Sequence, residues 1–310
     1  MKIRSIILII VILFIGCTQK KSDDSITFGT LPVIQALPIF VANDLGLFAK
    51  HNASVELISF NSALESEIAI SANQIDGYFA DIITPIILNA NGTDLQIVST
   101  LFKTDSSQRM FALLTPPGAE KQSLARAAEK GIAISTNTVI DYITPYLINS
   151  VDTSAFKYNK IDIKKIPIRL QLLLQNQISA AVLPEPLVTL AEQKGAHVYA
   201  DDKKLNMTPT VAVFTTTFLK NNKINTKRYL LAIKEAMDII NNHPDSIRSI
   251  MLENCQVPDL LMNTFPVPKF QQLDLPSKEN IVNAHKWLNE IHVIDTKLDI
   301  EELMSDEYLP

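Results

Sequence analysis

From Ser25 to Phe102, short stretches with period-two apolar alternation take turns with stretches of helical spacing. No other feature of the chain constrains its fold as strongly. Strands are expected at Ser25–Thr30, Ser54–Phe60, Gly77–Ala80 and Leu95–Phe102. Between them lie helices at Ala36–His51, from Ser62 to Gln74 and at Ile82–Asn91. Such an order calls for a mainly parallel sheet with helices on its faces. After a polar break at Lys103–Gln108 the alternation resumes. Strands are expected at Met110–Leu114, Ile132–Ser135, Ile161–Ile166, Ser179–Leu183, His197–Ala200 and Val211–Thr215, with helices between most of them, one kinked or shortened at Pro145. The pattern then turns all-helical over Thr226–Asn242, Asp245–Asn254 and Ser277–Ile291. The chain therefore reads as two α/β units with a helical tail and no low-complexity linker.

Composition removes several functional classes. The 28 Lys+Arg against 33 Asp+Glu give a net charge of −5, which argues against a phosphate-binding surface and against nucleic acid as a partner. Only 8 Gly occur, and no Gly-x-Gly-x-x-Gly or Walker-type loop, so a nucleotide cofactor is not expected. The five His are scattered and the Cys number two, which leaves no metal-ligand spacing. No Gly-x-Ser-x-Gly elbow is present. Neither cofactor nor metal nor catalytic group is expected, and the chain does not read as an enzyme.

The N-terminus speaks to compartment. Lys2 and Arg4 precede ten apolar residues, Ile6–Ile15, and then Gly16-Cys17. The run is too short for a bilayer-spanning helix, which needs about 20 residues, and reads as a signal peptide over residues 1–16. Phe14-Ile15-Gly16-Cys17 resembles a bacterial lipobox, which implies lipidation of Cys17 and cleavage before it. Residues 17–24 then form a polar tether. Cys255 is left as a lone thiol, expected in the core.

In open α/β sheets, ligands bind beyond the carboxyl ends of the strands, where helix N-termini present N–H groups. Five loops hold that place here: Leu31–Leu37, Phe60–Ser62, Ala80–Asp81, Ser135–Thr138 and Pro184–Pro186. The candidate ligand contacts are Ile34, Gln35, Asn61, Ser62, Asp81, Ser135, Asn137, Thr138 and Glu185. Each polar one has a structural alternative. Ser62 and Asp81 suit helix caps, and Asp141 fits the acid of a capping box. Ser135-Thr136-Asn137-Thr138 offers more side-chain donors and acceptors than one cap needs. Glu185 is stiffened by Pro184 and Pro186. No Lys or Arg lies inside any of the five loops, and Arg109 is the nearest basic candidate. Although N–H groups alone can hold an oxyanion, charge favours a neutral or amine-bearing polar ligand.

Five segments carry a family resemblance. Thr27–Phe48 ("TFGTLPVIQALPIFVANDLGLF"), Gln74-Ile75-Asp76-Gly77, Ile134–Tyr142, Leu183–Gly195 ("LPEPLVTLAEQKG") and Leu303–Pro310 occur in an order similar to bacterial solute-binding proteins of the nitrate/sulfonate/taurine and thiamine-pyrimidine-precursor type. The resemblance implies a type II periplasmic-binding-protein fold, with two α/β lobes joined by a two-strand hinge and a helical C-terminal tail. Hinge crossings would fall near Phe102–Met110 and Pro209–Phe214. Lobe 1 would comprise residues 25–105 plus 213–310, and lobe 2 residues 106–212. The implied function is a monomeric lipoprotein, anchored through Cys17 on the extracytoplasmic side of a bacterial membrane. It would capture a small polar solute by hinge closure and deliver it to an ABC permease and its ATPase. Three other readings stay open: an enzyme on the same fold, of pyrimidine or menaquinone pathway type; a sensory binding lipoprotein; and a lipoprotein with an empty cleft.

Overall fold

The computed structural model describes residues 25–119, 123–151, 157–205, 207, 210–297 and 299–310. The signal peptide, Cys17 and the tether lie outside these residues.

The first half of the chain gives β1 (Ser25–Thr30), α1 (Leu37–Asp44), α2 (Leu47–Lys50), β2 (Ser54–Ser59), α3 (Ala63–Ser71), β3 (Gly77–Asp81), α4 (Ile83–Ala90) and β4 (Leu95–Phe102). A second series follows: β5 (Phe111–Thr115), α5 (Leu124–Lys130), β6 (Ile132–Ile134), α6 (Val139–Val151), β7 (Lys160–Asp162), α7 (Ile166–Leu174), β8 (Ala180–Pro184), α8 (Leu187–Gln193) and β9 (His197–Asp201). The chain then returns through β10 (Thr210–Thr215) to α9 (Thr216–Asn221), α10 (Lys223–Asn242), α11 (Pro244–Asn254), α12 (Lys278–Glu290) and α13 (Ile300–Leu303).

Three local expectations need correction. The segment Ala36–His51 is two helices, because Gly46 takes φ +68° and ends the first, and Leu45 before it is 46% exposed. Pro145 neither shortens nor ends α6, which runs on to Val151. The strand expected over Ile161–Ile166 stops at Asp162, and α7 begins at Ile166 with Pro167 in its first turn, where a missing N–H costs nothing.

Two five-stranded sheets result, in the orders β2-β1-β3-β10-β4 and β7-β6-β8-β5-β9. Both are mixed rather than mainly parallel. In the first sheet β10 runs antiparallel to β3 and β4, and in the second β5 runs antiparallel to β8 and β9. The two inverted strands are the ones that enter each sheet just after the chain has crossed from the other. Hydrophobic period reports burial but not strand direction, so the inversion leaves no mark in the sequence. Thr210 already pairs with Asp81 and Phe102, so the chain is back in the first sheet by Thr210, ahead of the lobe boundary expected at residue 213.

Asp202, fully buried, ties the two crossings together. Its Oδ1 accepts from the backbone N–H of Met110 at 2.8 Å and of Phe111 at 3.1 Å. Helix α10 packs on α1 and α2, and the Tyr229 ring lies 4.9 Å from Phe28 and 5.3 Å from Phe48, so the tail is fused to the first sheet's core. Trp287 of α12 meets Tyr142 of α6 at 5.2 Å, a ring contact between the tail and the second lobe. Cys255 is buried just past α11, and burial raises its thiol pKa. Among the described residues no helix is long and apolar enough to cross a membrane.

Candidate functional site

Strand periodicity assembles one wall of the site. β1 pairs in parallel with β3 at Phe28–Gly77, and β10 pairs with β3 at Thr210–Asp81. Partners in register share a face, and side chains alternate along each strand, so Thr30, Asp81 and Thr210 fall on the same face at one edge of the sheet. Gln35 follows in the short 3-10 turn after β1. Thr30, Gln35 and Thr210 are at least 95% buried, and their Oγ1, Oε1 and Oγ1 atoms have no partner among the described residues. Buried polar atoms ordinarily find a hydrogen bond, so these three stand out, as do the hydroxyls of Thr100, Thr115, Tyr142 and Tyr229 elsewhere among the described residues. Ile34, beside Gln35, is buried in the hydrophobic core.

Asp81 joins this wall to the other lobe. Its Oδ1 accepts from the N–H of Ile83 at 2.8 Å and of Thr84 at 3.0 Å, which makes it the cap of α4. Its Oδ2 accepts from the N–H of Val139 at the start of α6, at 3.2 Å. Burial raises the Asp81 carboxyl pKa, while the three N–H donors pull it down. Glu67 of α3 lies near. Burial first, and then the Asp81 charge, push its pKa up to about 7 against the pull of Lys164 from the second lobe. Glu67 has no sequence signal, because it sits inside α3, away from the loops that the sequence singles out.

The second wall is the loop before α6. Ser135 is buried, and its Oγ accepts from Arg169 at 2.5 Å. Arg169 is wholly buried in α7 and also donates to the carbonyls of Val182 and Ile163; burial lowers its pKa to about 10, against the pull of Asp162. Asn137 has φ +62°, in the left-handed region that Asn tolerates better than most residues. Thr138 is a local cap: its Oγ1 donates to the Ser135 carbonyl and accepts from the Ile140 N–H.

Asn61, Ser62 and Glu185 are arranged for local support. Ser62 Oγ accepts from Glu65 N–H, and Glu65 Oε2 accepts from Asn61 N–H at 3.0 Å, so both residues serve the capping box of α3. Glu185 caps α8 through Thr189 N–H at 3.0 Å and Thr189 Oγ1 at 2.8 Å, and its other oxygen holds Arg109 at 2.6 Å. Both of its oxygens thus have partners within the second lobe. Arg109 also pairs with Glu192; burial opposes its charge, but the two acids keep its pKa raised.

A surface depression of about 340 Å³ lies between Pro116–Ala119, Lys130, Asn176, Ile178 and Ser179, away from these walls. Among the described residues no three His, Cys, Asp or Glu side chains come together as metal ligands.

No curated protein matches the chain. Solved structures match it closely in fold and distantly in sequence. A ligand-binding component of an ABC-type import system from Staphylococcus aureus superposes with a TM-score of 0.76 at 14% identity, covering 92% of this chain and 97% of that one. The periplasmic aliphatic sulphonate binding protein of Escherichia coli gives 0.74 at 15% identity, with 90% and 91% covered. The periplasmic nitrate-binding protein of Synechocystis PCC 6803 gives 0.71 at 13%, with 92% and 87% covered. Two mixed α/β lobes with a helical tail make this the type II periplasmic-binding-protein fold. The family match extends over residues 19–252, most of the chain, and on that match the chain belongs to the NMT1-like family.

Proposed function

We propose that the protein is the solute-binding component of an ABC importer, capturing a small polar solute between its two lobes. One observation supports the reading: among the described residues the buried oxygens of Thr30 and Thr210, on the sheet face of Asp81, and Gln35 Oε1 in the turn after β1 have no hydrogen-bond partner, while Asp81 reaches Val139 of the other lobe. A solute seated there touches both walls and favours the closed arrangement by its differential affinity. Movement would centre on residues 103–108 and 202–205, with 25–102 and 210–310 as one lobe and 109–201 as the other. Lipidation at Cys17 would hold the protein outside a bacterial membrane, as a monomer, beside its permease and ATPase. The solutes named for the structural neighbours, sulphonates and nitrate, lend support to a small polar ligand.

A thermal-shift screen of the full-length protein in mild detergent tests this reading. The panel holds sulfonates, nitrate, phosphonates, amines and thiamine-type pyrimidines. A solute at 100 times its Kd adds about 2.7 kcal/mol to the folded state. One class is expected to raise the Tm, and Thr210→Val or Gln35→Leu to abolish the rise. A shift that survives both substitutions would place binding elsewhere, and no shift by any compound would overturn the reading.

A further inference from the structure

Helix N-termini are natural oxyanion sites, because their first N–H groups lack intrahelical acceptors and carry a partial positive charge. Two helix starts, one from each lobe, converge at the cleft: α4 and α6. Their donors are already taken by oxygens of the chain itself. Asp81 Oδ1 holds Ile83 and Thr84, and Asp81 Oδ2 holds Val139. Around the start of α6, Thr136 N–H is held by Asp162 Oδ1 at 3.0 Å, Asn137 N–H by Asp141 Oδ2 at 3.2 Å, and Ile140 N–H by Thr138 Oγ1 at 3.2 Å. Three of the four acceptors at the start of α6 are carboxylates, drawn from three different elements.

Three cations of the second lobe are committed as well: Arg109 is bound by Glu185 and Glu192, Lys160 by Asp141 at 2.6 Å, and Arg169 by Ser135 and two carbonyls, whereas Lys164 acts on Glu67 through its charge alone. An incoming oxyanion would find the N–H groups of Ile83, Thr84, Val139 and Ile140 already bonded and would lie beside Asp81 and Glu67, like charges in a medium of low dielectric. Among the described residues Gln35 Oε1 is a buried acceptor without a donor, a place for a donor of the solute.

Building on the solute-binding reading, we infer that the cleft takes a small organic cation, an ammonium or amidinium, and that Asp81 sets this preference by filling the place an oxyanion would occupy. The cation would donate to Asp81 and Gln35, with Glu67 completing its charge balance.

The test is isothermal titration of the full-length protein at pH 7. Cationic probes are ethanolamine, putrescine, agmatine and benzamidine; oxyanion probes of matched size are nitrate, methanesulfonate, isethionate and benzenesulfonate. At least one cation is expected to bind and no oxyanion. Binding should release protons, read as a dependence of the heat on the buffer, because a cation beside Glu67 lowers its pKa. Asp81→Asn is expected to weaken the cation by about tenfold or more, the scale of one charge-assisted hydrogen bond. Should that variant fail to fold, Glu67→Gln is expected to abolish the proton release. Binding of an oxyanion by the unmodified protein, without any cation, would overturn the charge preference and leave solute capture standing. Binding of neither class by a cooperatively melting protein would overturn the preference, and the wider thermal-shift panel then decides solute capture separately.

Discussion

Asp81 and Glu185 look alike in the sequence. Each follows a buried strand, β3 or β8, and precedes a helix whose first turn its carboxylate caps. The structure gives them different tasks. Glu185 lies beside Arg109 of its own lobe and spends both oxygens there and on Thr189. Among the described residues Asp81 is bonded to backbone N–H groups alone, and its second oxygen meets one from the opposite lobe. What separates a structural acid from a cleft acid is whether its own lobe supplies a cation. Charge near the two residues in sequence does not reveal this, because Arg109 is 76 residues from Glu185 and Val139 is 58 residues from Asp81.

The largest expected effect breaks the Glu185 side of the comparison. Glu185→Ala leaves Arg109 with one exposed partner and removes the α8 cap. Breaking a buried pair by deleting one member costs about 3 kcal/mol, and the loss should appear in the denaturant midpoint. Solute affinity of the folded fraction should stay within about twofold, because no cleft contact is lost, a change below 0.5 kcal/mol. A loss of affinity without a loss of stability would reverse the two roles.

A smaller effect follows from the acids of the first lobe. The Glu67 carboxyl titrates near pH 4.5 when unfolded and at about 7 when folded. Below 4.5 both states are protonated. Between 4.5 and 7 the unfolded state gives up the proton first, so stability falls as pH rises through this window and levels off above it. The raised Asp81 carboxyl adds a decline of the same sign, starting near 3.8. For a group on a partly exposed helix face the loss should be on the order of 1–2 kcal/mol. Unfolding curves from pH 4 to 8 check it, and Glu67→Gln should flatten the slope. An identical slope in that variant would assign the decline to other groups.

Much of the fold could be read in the sequence because it depends on local periodicity. All ten strands among the described residues fall at or beside their expected places, and Ser62 caps α3 as its sequence position suggests. Within the proposed site, Asp81 and Gln35 stand in loops that the sequence already singles out. The rest was hidden where the partner is distant. Thr210 joins the wall only because β10 enters the first sheet antiparallel to β3. Arg169 reaches Ser135 across 34 residues, and Asp202 binds Met110 and Phe111 across about 90. The surplus of polar side chains in Ser135–Thr138 read as a ligand loop, but most of its contacts turn out to serve α6 and Arg169.

Asp81→Ala removes the α4 cap, a loss of about 1 kcal/mol, and with it the link to Val139. Because the substitution also removes a desolvated charge, its stability cost should sit below that of Glu185→Ala at pH 7 and grow toward pH 4, where the raised carboxyl is protonated in the folded protein. Scattering should detect a larger radius of gyration for the solute-free variant, with no such change in Glu185→Ala. Equal compactness of all three proteins would show that the carboxylate does not hold the lobes together. The smallest effect probes the receiving side of the same bond. Asn137 holds φ +62°, a conformation that costs alanine roughly 1 kcal/mol and glycine nothing sterically. Asn137→Ala should therefore lower stability by up to about 1 kcal/mol and Asn137→Gly by a few tenths. If the loop also positions Val139 for Asp81, the alanine variant should show part of the expansion seen in Asp81→Ala, and the glycine variant none. The two substitutions together with Asp81→Ala would then expand the protein no further than Asp81→Ala alone, since a bond already lost cannot be loosened again.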